Sequence, residues 1–125
     1  MKHHSQGFLT LVNESKSRIK EISPQELKEK IDRHELMQII DVRDENELST
    51  GYIPGATHLS KGIIERDIEK LIPDLQKQII VYCSGGFRCA LVADNLQKMG
   101  YHHVYSLSTG LQGWLDLGYP IENKK

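Results

Sequence analysis

Residues 83–88 read Cys-Ser-Gly-Gly-Phe-Arg, a short stretch holding a nucleophile, two conformationally free residues and a cation. Gly85 and Gly86 let the backbone curl so that successive amide N–H groups point at one spot. A helix beginning near Phe87 would add the unpaired N–H groups and partial positive charge of its N-terminus. Arg88 is the loop's only formal positive charge. A cysteine facing such a ring has its pKa lowered and is partly thiolate near neutral pH. A thiolate stabilised by its own loop needs no separate general base. The bland reading is that Cys83 is a small buried hydrophobe and the Gly-Gly pair only a turn. Its place after an apolar strand, ahead of two glycines, an arginine and a helix start, favours chemistry.

The elements around the loop decide whether it can be held open. Ile79-Ile80-Val81-Tyr82 is the strongest strand signal and delivers Cys83 to its carboxyl end. The helix after the loop puts Cys89, Val92, Ala93 and Leu96 on one face and ends at Gly100. Met37–Val42, Thr57–Leu59 and His103–Leu107 read as further strands. Ser23-Pro24-Gln25-Glu26 is a capping box with Pro at the first helical position, opening a helix that turns Leu27 and Ile31 inward. Asp44 to Glu47 repeats that spacing for a short helix closed by Gly51. Tyr52 to Ala56 is a turn, Glu65 to Leu71 a short helix, and Gly110 to Leu117 a last one carrying Trp114. Phe8, Leu11, Val12, Ser15 and Ile19 predict an amphipathic N-terminal helix with a thin apolar face, packed on the domain edge and partly mobile. Strands alternating with helices imply right-handed crossovers and a mainly parallel sheet, whose sites form at the strands' carboxyl ends.

Composition bounds the function classes. A chain of 125 residues is about one domain and can bury a real core without staples. Sixteen Lys and Arg against seventeen Asp and Glu leave a net charge of -1, without the basic footprint of a nucleic-acid binder. Mean hydropathy is -0.45, and no apolar run approaches the ~18 residues of a membrane span. The start lacks the ~7–15-residue apolar stretch of a secretory signal, so a cytoplasmic protein is expected. Two cysteines are too few for a disulfide scaffold and are not spaced as a zinc site, so no metal is expected. His102 and His103 resemble a metal pair only superficially and read as exposed.

The pattern Cys-x4-Arg after a hydrophobic strand closely resembles the rhodanese-like sulfurtransferase family. Asp41-Val42-Arg43, Glu47, Gly51 to Ala56, Gly110-Leu111-Gln112-Gly113-Trp114 and Gly118-Tyr119-Pro120 look like the same family's other motifs, in its order. The resemblance covers about residues 20 to 122. It implies a single α/β domain in three layers, with a central, mainly parallel five-stranded sheet flanked by helices. Residues 1–19 would be an N-terminal helical extension and 20–125 the domain itself. It also implies that Cys83 is the nucleophile, that no cofactor is needed, and that backbone N–H groups of Ser84, Gly85, Gly86, Phe87 and Arg88 hold a Cys83 persulfide. The sulfur would come from thiosulfate or a low-molecular-weight persulfide and pass to a thiol, to cyanide in an assay, or to an acceptor protein. Six residues from Cys83 to Arg88 is the rhodanese length; related phosphatases have one more, which argues against phosphatase activity.

Several residues have competing readings. Asp41, Arg43 and Glu47 could line the pocket, but a local ion-pair network fixing the strand-to-helix turn is the favoured role. Many relatives have Ser or Thr where this chain has Cys89. Cys89 is read first as a packed residue on the helix's inner face, and alternatively as a thiol that resolves Cys83 as a disulfide. Phe87 either shapes the pocket wall or simply packs. Trp114 reads as a core anchor. The alternatives to an enzyme are a persulfide carrier that does not turn over, an interaction module, or a Cys83/Cys89 redox device.

Overall fold

The structure, a computed structural model, describes residues 4–123. A five-stranded sheet runs through its centre in the order β1 (Lys20–Ile22), β5 (His103–Leu107), β4 (Gln78–Tyr82), β2 (Gln38–Asp41), β3 (Thr57–His58). Every neighbouring pair is parallel, with Ile40 beside Val81 and Val81 beside Ser106. A parallel sheet is covered on both faces, which is why β2 and β4 read as unbroken apolar runs. The period-two alternation then sorts those runs between two cores. Ile40, Ile79 and Val81 join Ile64 and Ile68 of α3 (Ile64–Leu71) and Val92 and Leu96 of α4 (Arg88–Lys98). Ile39, Ile80 and Tyr82 join Leu27 of α2 (Pro24–Asp32) and Leu111 and Trp114 of α5 (Gly110–Asp116).

The helix starts follow the local chemistry. At α2 the Ser23 hydroxyl accepts from the Glu26 N–H at 3.1 Å, and the Glu26 carboxylate accepts from the Ser23 N–H at 2.8 Å, completing the capping box. Trp114 is buried, donates its indole N–H to the Pro120 carbonyl at 2.7 Å, and meets Tyr119 edge-on.

Two expectations about the periphery change. Strand β1 has no counterpart in the sequence reading, because only Ile22 of its three residues is buried and the run shows no periodicity. The N-terminal helix α1 (Gln6–Lys16) stops before Ile19, and Leu11 is 54% exposed. It packs against α4. Val12 is fully buried there, worth about 1.5–3 kcal/mol for a side chain of its size. The Ser15 hydroxyl donates to Asp94 of α4 at 3.1 Å, and the Arg18 guanidinium donates to the same carboxylate at 2.7 Å. This polar clasp, not apolar area, compensates for the thin hydrophobic face.

The segments leaving β2 and β4 emerge side by side at the carboxyl ends of adjacent strands. One carries Arg43 to Glu47 and the other Cys83 to Arg88.

Candidate active site

The loop after β4 is shaped by two close approaches. Gly86 has φ +94°, and a Cβ there would meet the Ser108 carbonyl oxygen at 2.2 Å. Only glycine fits both the conformation and the space. On the other side, the N–H groups of Leu111 and Gln112, at the start of α5, donate to the carbonyls of Cys83 and Ser84 at 2.8 and 3.0 Å. In a planar trans peptide the next N–H points opposite to the carbonyl. Fastening those two carbonyls to α5 therefore turns the N–H groups of Ser84 and Gly85 away from it. Among the described residues neither of these N–H groups, nor that of Phe87, has a protein acceptor. Gly86 and Cys89 donate their N–H groups to the Cys83 sulfur itself, at 3.2 and 3.4 Å.

The Cys83 pKa is lowered to about 6. The Cys89 side chain, whose sulfur lies 3.5 Å away, contributes most; burial opposes it; the two backbone N–H groups and the Arg88 charge add to the lowering. Cys89 moves the other way, well above an ordinary thiol, because it is fully buried and faces the Cys83 sulfur. The described cysteines are both free thiols.

Arg88 is not an unopposed cation. Its guanidinium makes a two-pronged pair with Glu47, Nη1 to Oε1 at 2.7 Å and Nη2 to Oε2 at 2.9 Å. The Ser84 hydroxyl also donates to Glu47, at 3.1 Å. The Glu47 carboxylate therefore pairs with the loop and not with Arg43, the local ion-pair partner the sequence reading favoured. A 3-10 helix (Glu45–Thr50) presents it, and the Asp44 N–H fixes its Oε1 at 2.9 Å. The bond from Arg88 holds the Glu47 carboxyl at about 2, from an ordinary 4.5. A depressed carboxylate stabilises the fold above its unfolded pKa and loses that contribution as pH falls through the folded one. Wild-type protein is accordingly expected to lose more unfolding free energy than Glu47→Gln between pH 5 and pH 2, measured by urea titration at each pH.

Asp41 and Arg43 sit behind this arrangement. Their side chains are 1% and 2% exposed and pair at 2.8 Å. Arg43 further donates to the Gly51 carbonyl at 2.7 Å and to the Glu47 carbonyl and Thr50 hydroxyl at 3.2 Å. Its own carbonyl meets His58 Nε2 at 2.7 Å. Neither residue lines the Cys83 cavity. The pair braces the 3-10 helix, which in turn aims Glu47 at Arg88.

A cavity of about 730 Å3 opens onto the loop, lined by His4, Phe8, Cys83, Ser84, Gly85, Phe87, Arg88 and Gln112. Cys83 belongs to this lining while only 1% exposed. Phe87 both packs and shapes the wall: its ring lies 4.6 Å from His4 and 6.4 Å from Phe8, with the Lys16 ammonium 5.4 Å from its centroid. Of the loop residues named from the sequence, Cys83, Ser84, Gly85, Phe87 and Arg88 line this cavity, while Gly86 does not and instead turns its N–H to the Cys83 sulfur. Sequence reasoning missed Phe8, whose only signal was the amphipathic pattern of α1, His4, which precedes that helix and carried no signal, and Gln112, which lay unassigned inside a quoted motif. His102 and His103 are exposed, and among the described residues no cluster of His, Cys, Asp and Glu could hold a metal ion. No helix among those residues is long and apolar enough to cross a membrane.

Comparison with known proteins agrees with this architecture. The chain is 38% identical over 96 residues to YtwF of Bacillus subtilis, named as a candidate sulfurtransferase, covering 77% of this chain and 90% of that one. It is 31% identical over 102 residues to YrkF of the same bacterium, named as a candidate sulfur carrier, covering 82% of this chain but spanning only 54% of YrkF. Among solved structures, RPA3614 of Rhodopseudomonas palustris superposes with a TM-score of 0.87 at 27% identity and 98% coverage of both chains, an overlap that takes in α1. RPA3614 is described as a protein of unknown function and possible tyrosine phosphatase. The rhodanese-like domain family matches residues 23–117, from the cap of α2 past the end of α5. With its parallel sheet and its cysteine loop, the chain belongs to the rhodanese-like domain family.

Proposed function

We propose that this protein is a sulfurtransferase that carries sulfane sulfur on Cys83. The observation that carries the reading is Cys83 in the cavity lining, its pKa lowered and its sulfur accepting the N–H groups of Gly86 in the loop and Cys89 in the first turn of α4. In the first half-reaction the Cys83 thiolate attacks the outer sulfur of a donor; with thiosulfate, the S–S bond breaks and sulfite leaves with the electron pair. The outer sulfur of the resulting persulfide extends into the cavity toward the N–H groups of Ser84, Gly85 and Phe87. In the second, an acceptor thiolate or cyanide attacks that outer sulfur and the Cys83 thiolate departs. Negative charge stays near one sulfur throughout, which suits donors fixed in advance. No cofactor takes part. Residues 20–125 form the sulfur-transfer domain and 1–19 its extension, which supplies one wall of the cavity. Free thiols at the centre of the site suit a reducing compartment, the cytoplasm.

The cavity favours an organic persulfide over thiosulfate as donor. Its one formal cation is matched by Glu47, and its far wall is aromatic, so a small dianion gains little there. Sulfur transfer is preferred to phosphate-ester hydrolysis because Cys83 and Arg88 are spaced as in rhodaneses, and the ring closes to 3.2–3.4 Å around a single sulfur. The persulfide-carrier reading is supported by the likeness to YrkF.

Thiosulfate treatment should add about 32 Da, one sulfur, to the peptide containing Cys83. Many thiosulfate-to-cyanide turnovers per protein identify an enzyme, and one stoichiometric transfer a carrier. Turnover of p-nitrophenyl phosphate alone would overturn the sulfur reading. Because the thiolate is the nucleophile, the first half-reaction should accelerate as pH rises through about 6 and level off above it, followed by stopped-flow.

A further inference from the structure

Cys89 is the nucleophilic side chain that sulfur transfer does not use, and its surroundings constrain its proton. The residue is fully buried and contributes nothing to the cavity lining. Behind it, the buried Ser106 hydroxyl of β5 donates to the Cys89 sulfur at 3.1 Å. With that sulfur already accepting, the Cys89 S–H has two acceptors in reach: the Cys83 sulfur at 3.5 Å and the Leu107 carbonyl at 3.8 Å. The Cys83 sulfur is nearer, and as a thiolate it is the stronger acceptor. Cys89 also directs its backbone N–H at the same sulfur.

We infer that Cys89 is a positioning residue, the middle member of a buried relay from Ser106 through the Cys89 thiol to the Cys83 sulfur, which holds Cys83 as the thiolate. The inference rests on Cys83 being the nucleophile. Cys89 is a proton donor here and not a second nucleophile: burial and the neighbouring sulfur both keep its proton in place. The other charged and titratable groups facing Cys83 come from separate elements. Arg88 of α4 is paired with Glu47 of the 3-10 helix, Asp44 stands beside Glu47, and His4 lines the cavity mouth from the N-terminal segment. At the end of neighbouring β2, Asp41 pairs with Arg43, whose remaining donors go to the Glu47 and Gly51 carbonyls and the Thr50 hydroxyl. None of these donates a hydrogen bond to the Cys83 sulfur, so the relay is separable from them by mutation.

The test measures the rate of Cys83 alkylation by iodoacetamide against pH, with peptide mapping, in wild type, Cys89→Ala, Cys89→Ser and Ser106→Ala. Cys89→Ala should raise the alkylation midpoint by about one pH unit, roughly a tenfold loss of thiolate at a given pH below it. Cys89→Ser, which restores a donor, should bring the midpoint back toward wild type. Ser106→Ala should raise it by a smaller amount, and this arm reads the relay even if Cys89→Ala does not fold. An unchanged midpoint in folded Cys89→Ala or in Ser106→Ala overturns the relay. So does an equal rise in Cys89→Ala and Cys89→Ser, which would make Cys89 a packing residue. Conversion of wild type to a Cys83–Cys89 disulfide, a loss of about 2 Da, during persulfide formation also overturns it, since Cys89 would then be the attacking group. Alkylation needs no sulfur donor, so a shifted midpoint in a protein that gains no sulfur would sink sulfur transfer while leaving the relay standing.

Discussion

Cys83→Ser is expected to abolish sulfur transfer, lowering thiosulfate-to-cyanide turnover by at least roughly 1,000-fold, because no other group can take the nucleophile's place. The change is nearly isosteric at a site where the cysteine is 1% exposed, so circular dichroism and the unfolding midpoint should stay close to wild type. Serine keeps the shape and can still accept from the Gly86 and Cys89 N–H groups, but its hydroxyl stays protonated where the thiol does not. Intact mass after thiosulfate treatment should then show no added sulfur. Residual turnover above a tenth of wild type, or a sulfur gained elsewhere, would remove Cys83 from the centre of the mechanism.

The largest stability effect is expected at Asp41. Asp41→Ala strands the Arg43 guanidinium, whose side chain is 2% exposed, without its carboxylate. Breaking a buried pair from one side costs about 3–5 kcal/mol, since the remaining charge cannot recover its hydration. At about 4 °C per kcal/mol for a domain of this size, Tm should fall by roughly 12–20 °C. Replacing both partners by apolar residues should return much of that loss, as buried pairs often only break even with hydrophobic packing. The same double variant is expected to transfer sulfur more slowly than wild type, because the 3-10 helix would lose the Arg43 bonds that aim Glu47 at Arg88. Urea unfolding at pH 7 checks the first statement; a cost below about 1 kcal/mol would show that the guanidinium finds other partners or water.

What could be read in advance divides along a physical line. The loop was legible because its chemistry is local: a thiol, two glycines, an arginine and a helix start within six residues. The main strands were legible because a doubly covered sheet demands apolar runs such as Ile79 to Tyr82. Strand β1 was not, since Lys20 and Glu21 are exposed and its pairing with β5 comes from a segment more than eighty residues away. Glu47 pointed locally to Arg43 by proximity in sequence, but its partner is Arg88, 41 positions on, a choice that tertiary docking alone makes. The contact between Cys83 and Cys89 depends on how far the loop curls, which Gly86 against Ser108 decides from outside the motif. His4 and Phe8, which complete the aromatic wall around Phe87, precede the span matched by the family, so none of the family's motifs includes them.

The sheet's outermost members are β1 and β3, of three and two residues. Open margins of a sheet are templates on which foreign chains can add and fibrils can grow, and brevity is one of the ways proteins blunt them. Here each margin offers too few unpaired main-chain groups to seat an incoming strand, so concentrated solutions should resist cross-β assembly until the core itself opens.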